Sequence, residues 1–160
     1  MSWLRVQLAA VVCGAALSAT AQPLYKVYPI PGPNGNFDIS LRSLNENNTF
    51  VGSGNVGNLY FKGSRANGYT ILQPPSGMAN YQTNNINDGG WVSGGAYDLA
   101  ISKPVACIWN PANVPTVVGR LPGMDYGIAT DMNSFGQVCG NSGNNNIATG
   151  FRWSQAGSNR

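Results

Sequence analysis

The chain has 160 residues and a net charge of +3, with only 9% of its residues charged. It contains no histidine and one glutamate, Glu46, which excludes histidine-based triads, histidine general bases and histidine metal ligands. Its basic residues are scattered singly, so the clustered Lys/Arg footprint of a nucleic-acid binder is excluded as well.

Residues 1–21 read as a signal peptide. Arg5 gives a short positive n-region, residues 6–17 are almost unbroken apolar, and Ala19-Thr20-Ala21 supplies the small residues a signal peptidase needs. Cleavage before Gln22 is expected. The apolar run is shorter than the roughly 20 residues of a membrane span, and no second such run follows. Val12 before Cys13 is too bulky for a lipoprotein site. The expectation is an exported protein, periplasmic or extracellular. Its mature part, residues 22–160, is one domain with eight basic and six acidic side chains. With 21 Gly, 10 Pro and 20 Asn in all 160 residues the chain could be disordered, but regular β-branched and aromatic runs argue for a fold.

Residues 24–30 read as a strand and 31–36 as a turn-rich loop. Then a device appears three times: Leu44-Asn45-Glu46-Asn47-Asn48-Thr49-Phe50-Val51-Gly52, Ile86-Asn87-Asp88-Gly89-Gly90-Trp91-Val92-Ser93-Gly94, and Met132-Asn133-Ser134-Phe135-Gly136-Gln137-Val138-Cys139-Gly140. Asn and Gly tolerate positive φ, so each copy predicts a hairpin corner with strands on both sides. Asn45, Asn87 and Asn133 anchor the corners, Gly90 and Gly136 turn them, and Asn48 replaces that glycine in the first. Gly52, Gly94 and Gly140 are expected to end the second strand at a bend or close backbone contact.

After each corner a strand-like run ends on an aromatic: Phe61, Trp109 and Trp153. A strand and a Pro/Gly loop precede the second and third anchors, with Gly77-Met78 and Gly123-Met124 at equal distances from Asn87 and Asn133. The repeat is thus a unit of about four short strands, over residues 37–72, 78–118 and 124–153. No stretch has helical periodicity. The expected fold is all-β, with tandem four-stranded antiparallel repeats, propeller-like, and about three blades.

Apolar-Asn-x-x-Gly-x-Val-x-Gly, then an apolar strand ending in Trp, then a short strand and a Leu-x-Gly-like loop, resembles the bacterial HAF-type extracellular repeats, over residues 39–153. Residues 132–140 with Phe151-Arg152-Trp153 match best. The resemblance implies a β-propeller-like exported protein and no particular reaction. Three blades are fewer than the usual four to eight. Residues 24–30 crossing back to close the ring, several chains completing it, and a truncated fragment without its own function are the alternatives.

Chemistry is sparse. Cys107 and Cys139 are a candidate disulfide in an oxidising compartment, or two small strand residues. Asp125 and Asp131 could be considered for paired-carboxylate hydrolysis, but Asp in turns and strand ends explains them better. The oxygen-rich stretches at Asn87-Asp88-Gly89 and Asp131-Met132-Asn133 fall short of a calcium loop. Trp91 could offer a flat face to a sugar with Asp88 as its hydrogen-bond partner; inter-blade core is the favoured reading. The expectation is a non-enzymatic binding or structural module without cofactor or metal. The partner is undefined, with a glycan, a cell-surface component or a second copy as candidates, and a carbohydrate-binding propeller as the alternative function.

Overall fold

The computed structural model describes residues 27–30, 32, 38–54 and 59–155. Among them are eleven strands and no helix: β1 Ile39–Leu44, β2 Thr49–Gly54, β3 Leu59–Ser64, β4 Gly68–Ile71, β5 Met78–Ile86, β6 Val92–Asp98, β7 Lys103–Trp109, β8 Pro115–Gly119, β9 Tyr126–Met132, β10 Val138–Gly143 and β11 Ala148–Trp153. They form three antiparallel meanders in chain order: β1–β4, β5–β8 and β9–β11.

The sheets stack in sequence. In β7, Val105, Cys107 and Trp109 join Val51 and Leu72 of the first sheet in one buried cluster. The alternating Ala106 and Ile108 join Ala129, Met132 and Val138 of the third in another. A strand exposes opposite faces at successive residues, so the middle sheet is buried on both sides. Its sequence is accordingly near-continuously apolar from Val105 to Trp109.

The three corners share one hydrogen-bond pattern. The Asn amide donates to the carbonyl four residues on (Thr49, Trp91, Gln137), and the residue three on donates back to the Asn carbonyl, all at 2.9–3.1 Å. That third residue is left-handed each time: Asn48 at φ 57°, Gly90 at 78° and Gly136 at 74°. Asn tolerates this conformation better than other side chains, which is why it can replace glycine there. The connections between sheets repeat too. Gly77 and Gly123 both sit at φ 76°. Met78 and Met124 close the same turn, donating to Pro75 and Leu121 at 3.1 Å.

Several expectations need correction. Gly52, Gly94 and Gly140 do not end their strands; each lies inside β2, β6 or β10. What they meet is a β-bulge in the strand before the corner. The pairing skips Arg42, Asn84 and Thr130, each three residues ahead of its anchor. The bulge pushes the carbonyls of Ser40, Gln82 and Ile128 inward, so a Cβ on any of the three glycines would lie within 3 Å of that oxygen. The close backbone contact is therefore the reason for glycine.

The aromatic register also shifts by two. Phe61 and Phe151 pair opposite Gly52 and Gly140. Trp109 and Trp153 pair opposite Val92 and Val138, a position held in the first sheet by Gly63, opposite Phe50. Phe50, Phe61 and Tyr69 fill the space there with edge-to-face contacts of 5.3–6.5 Å.

Of the strand expected over residues 24–30, Val27–Ile30 carries no strand, and 24–26 lie outside the described residues. Arg65 of the β3–β4 hairpin stands 4.2 Å from the Tyr28 ring centroid, which puts Tyr28 beside the first sheet. No disulfide joins Cys107 and Cys139. Cys107 faces the first sheet from within the core, while Cys139 alternates outward from the third.

Candidate binding surface at the asparagine corners

Each anchor Asn does two jobs. Its Oδ1 accepts backbone N–H groups of its own corner: Asn47 and Thr49 at Asn45, Trp91 at Asn87, Phe135 and Gln137 at Asn133. Its Nδ2 reaches the next sheet. Asn45 donates to the Asn87 carbonyl at 2.9 Å, and Asn87 donates to the Asn133 carbonyl at 2.9 Å. The 42- and 46-residue spacings are the rungs of this ladder. Asn133 Nδ2 turns instead to Gln137 Oε1 at 2.8 Å. Asn45 and Asn87 are buried, and a satisfied buried hydrogen bond contributes about 1 kcal/mol net.

Other polar groups reinforce the same seams. Asp88 Oδ1 accepts the Glu46 amide at 3.0 Å, and the Asp88 carbonyl accepts from Asn47 Nδ2 at 2.8 Å. Thr83 Oγ1 donates to the Gly52 carbonyl, Asn84 Nδ2 to the Ala129 carbonyl, and Trp109 Nε1 to the Gln73 carbonyl. Lys62 Nζ donates to the Gly90 and Pro111 carbonyls at 3.4 and 2.9 Å, and burial pulls its pKa below the usual lysine range. Tyr60 donates its hydroxyl to the Tyr81 carbonyl. Burial raises the Tyr60 pKa, Tyr81 adds to the rise, and Arg42 opposes it.

The sequence-derived candidates separate in space. Trp91 packs against the cluster between the second and third sheets, whereas the Asp88 carboxylate is turned to the first. They do not form one sugar site. Trp91 instead shares a cleft of about 170 Å³ with Ile108, Phe135, Gly136, Trp153 and Gln155. Phe135 is 67% exposed at its rim. The cleft is smaller than the roughly 300–1,000 Å³ of drug-sized pockets, so it fits the face of one small ring. Between the first two sheets the place of Ile108 is taken by Lys62, whose ammonium spans the seam.

Asp125 and Asp131 bracket β9 at its two ends, roughly 20 Å apart at strand rise. Paired catalytic carboxylates stand within about 10 Å. Asp125 is 3.5 Å from Lys103, and Asp131 Oδ1 accepts the Met132 amide. Among the described residues no three His, Cys, Asp or Glu side chains cluster as a metal site. No described helix is long and apolar enough to cross a membrane. Burial pushes the Cys107 thiol up to about 12, partly offset by its hydrogen bond with the Ala96 backbone.

Sequence reading missed Phe135 and Gln155 as cleft residues and a fourth corner of the same design. Asn110-Pro111-Ala112-Asn113-Val114 joins β7 to β8 with the same backbone bonds, an Asn110 Oδ1 acceptor and Asn113 at φ 65°. Its Asn, four residues before a β-branched strand, was the available signal. No family model, curated protein or solved structure matches the chain.

Proposed function

We propose that this chain is an exported, non-catalytic β-repeat module, akin to the HAF-type repeats. Its sheets stack in the manner of propeller blades, and it serves as a binding or structural element at or outside the cell envelope. One observation carries the reading: the anchor Asn side chain is spent on its own turn at all three corners, and at the first two also on joining sheet to sheet. The repeated chemistry is thus cohesive, and a partner is left with the surface between the corners. Expression with its own N-terminus, followed by N-terminal sequencing of the exported product, should give Gln22 as the first residue. Retention inside the cell would overturn the address. Glycoside turnover that is lost in Asp125→Asn would overturn the non-catalytic part.

A second reading is carbohydrate binding, favoured by the Trp91, Phe135 and Trp153 cleft. Aromatic faces stack on the apolar faces of sugar rings, and Gln155 lies beside them. Titration with simple sugars followed by tryptophan fluorescence should show saturation that Trp91→Ala abolishes. No signal across a broad panel discards this reading and leaves the first intact.

A further inference from the structure

The two ends of the asparagine ladder are complementary. β5 lies across the face of β1–β3, and β9 lies across β5–β7. In each case the residue before the anchor is driven into the preceding sheet: Ile86 is 3% exposed and Met132 5%. Leu44 holds the same place before Asn45 and is 64% exposed. The Asn87 and Asn133 carbonyls each accept two hydrogen bonds, one within the corner and one from the preceding Asn. Among the described residues the Asn45 carbonyl accepts only from Asn48.

At the other end, Asn133 Nδ2 rests on Gln137 of its own corner instead of a neighbouring one. The neighbouring pair matches as well. Asp88 receives the Glu46 amide across the first seam. By the same placement, the Glu46 carboxylate stands ready for the Ser134 amide, and neither group has a partner among the described residues. Val51, which shares a buried cluster with Ile86, corresponds by the same offset to exposed Cys139.

We propose that a second copy of this chain docks head to tail, with Leu44, Asn45 and Glu46 of one copy seated on Asn133, Ser134 and Cys139 of the other. Asn133 Nδ2 then donates to the partner's Asn45 carbonyl, Ser134 N–H donates to the partner's Glu46 carboxylate, and the partner's Leu44 covers Cys139. The occupant is a second copy because the contact continues the two seams already inside the chain, and one chain carries both halves of it. Such a contact is heterologous, closing into a ring or running on according to its rotation. Two copies would bring six sheets together, within the range in which propellers close. The contact does not depend on the ligand-binding reading, and its failure leaves that reading standing.

The test is the solution mass of the wild-type chain and of Leu44→Asp and Asn133→Asp, separately and mixed. Leu44 is exposed, and Asp at 133 keeps the oxygen that Phe135 and Gln137 need, so both variants retain the fold, checked by circular dichroism. Wild type should show at least twice the chain mass. Each variant alone should dissociate with at least a tenfold weaker constant, because each blocks one end. The equimolar mixture should recover a one-to-one pair, since each variant keeps the end the other lacks. A wild-type chain of single mass up to its solubility limit overturns the proposal. Unaltered association of either variant, or a mixture no heavier than its parts, does so too.

Discussion

Replacing Asn87 by Asp separates the two jobs of that side chain. The acceptor for the Trp91 amide is kept, but the donor 2.9 Å from the Asn133 carbonyl becomes a second oxygen. A buried carboxylate facing a carbonyl loses one hydrogen bond, about 1 kcal/mol, and adds an unsatisfied charged acceptor, about 1–3 kcal/mol more. A total near 3 kcal/mol corresponds to roughly 6–12 °C in Tm for a chain of this size. Asn133→Asp, changed at an exposed Nδ2 that bonds only Gln137 Oε1, should cost under about 1 kcal/mol when measured at low protein concentration.

The sign with pH is fixed. Asp at 87 has a folded pKa raised above the ordinary value of about 3.9, because protonation restores a donor to the Asn133 carbonyl. The penalty is therefore full above the folded pKa and fades as pH falls toward the unfolded value. Urea unfolding at pH 7 and pH 4, followed by tryptophan fluorescence, measures both differences. Equal losses for the two variants, or an Asn87→Asp loss that does not shrink in acid, would refute the ladder.

Four further outcomes follow from the same geometry. Gly94→Ala and Gly140→Ala should each cost about 1–3 kcal/mol, because Cβ meets a backbone oxygen that cannot move without undoing the bulge. Gly77→Ala, with a left-handed φ but open space, should cost about 1 kcal/mol; denaturant midpoints rank them. In Leu44→Asp at low protein concentration, where no second copy covers it, Cys139 should label rapidly with a thiol reagent at pH 8 and Cys107 only on unfolding, read by peptide mass spectrometry. Because the Cys107 pKa rises from 9.0 to about 12, its contribution is present below pH 9 and is lost as pH climbs toward 12, which base titration of Cys107→Ala against wild type would detect. Trp109→Phe should lose about 1 kcal/mol through the Gln73 carbonyl, and an unchanged midpoint would show that this bond contributes nothing.

The corners were legible in the sequence because turn chemistry is local. Asn and Gly announce a left-handed residue whatever surrounds them, and Asn48, Gly90 and Gly136 all adopt it. The meander order followed from the same spacing. The bulges were not legible: Arg42, Asn84 and Thr130 share no side-chain type, and the cause lies in the backbone opposite glycine. The aromatic register was misread for a different reason, with Phe61 matched to Trp153 when its true counterpart is Phe151: the β2–β3 hairpin closes at Gly54 and Leu59, one pair nearer its glycine than the β10–β11 hairpin at Gly143 and Ala148. The Trp91 and Asp88 pairing failed on a related point. Residues three apart across a hairpin corner turn toward opposite neighbours, a fact set by stacking and not by sequence distance.

The rungs connect corner to corner and ignore the far hairpins. Residues 99–102 and 144–146 lie away from every anchor, so their lengths can drift without disturbing how one layer meets the next. Such a protein can diversify its outer rim while its inner edge stays in step. New specificity would therefore be expected to arise by insertion at those distal tips, and an engineer wishing to graft a foreign loop should begin there.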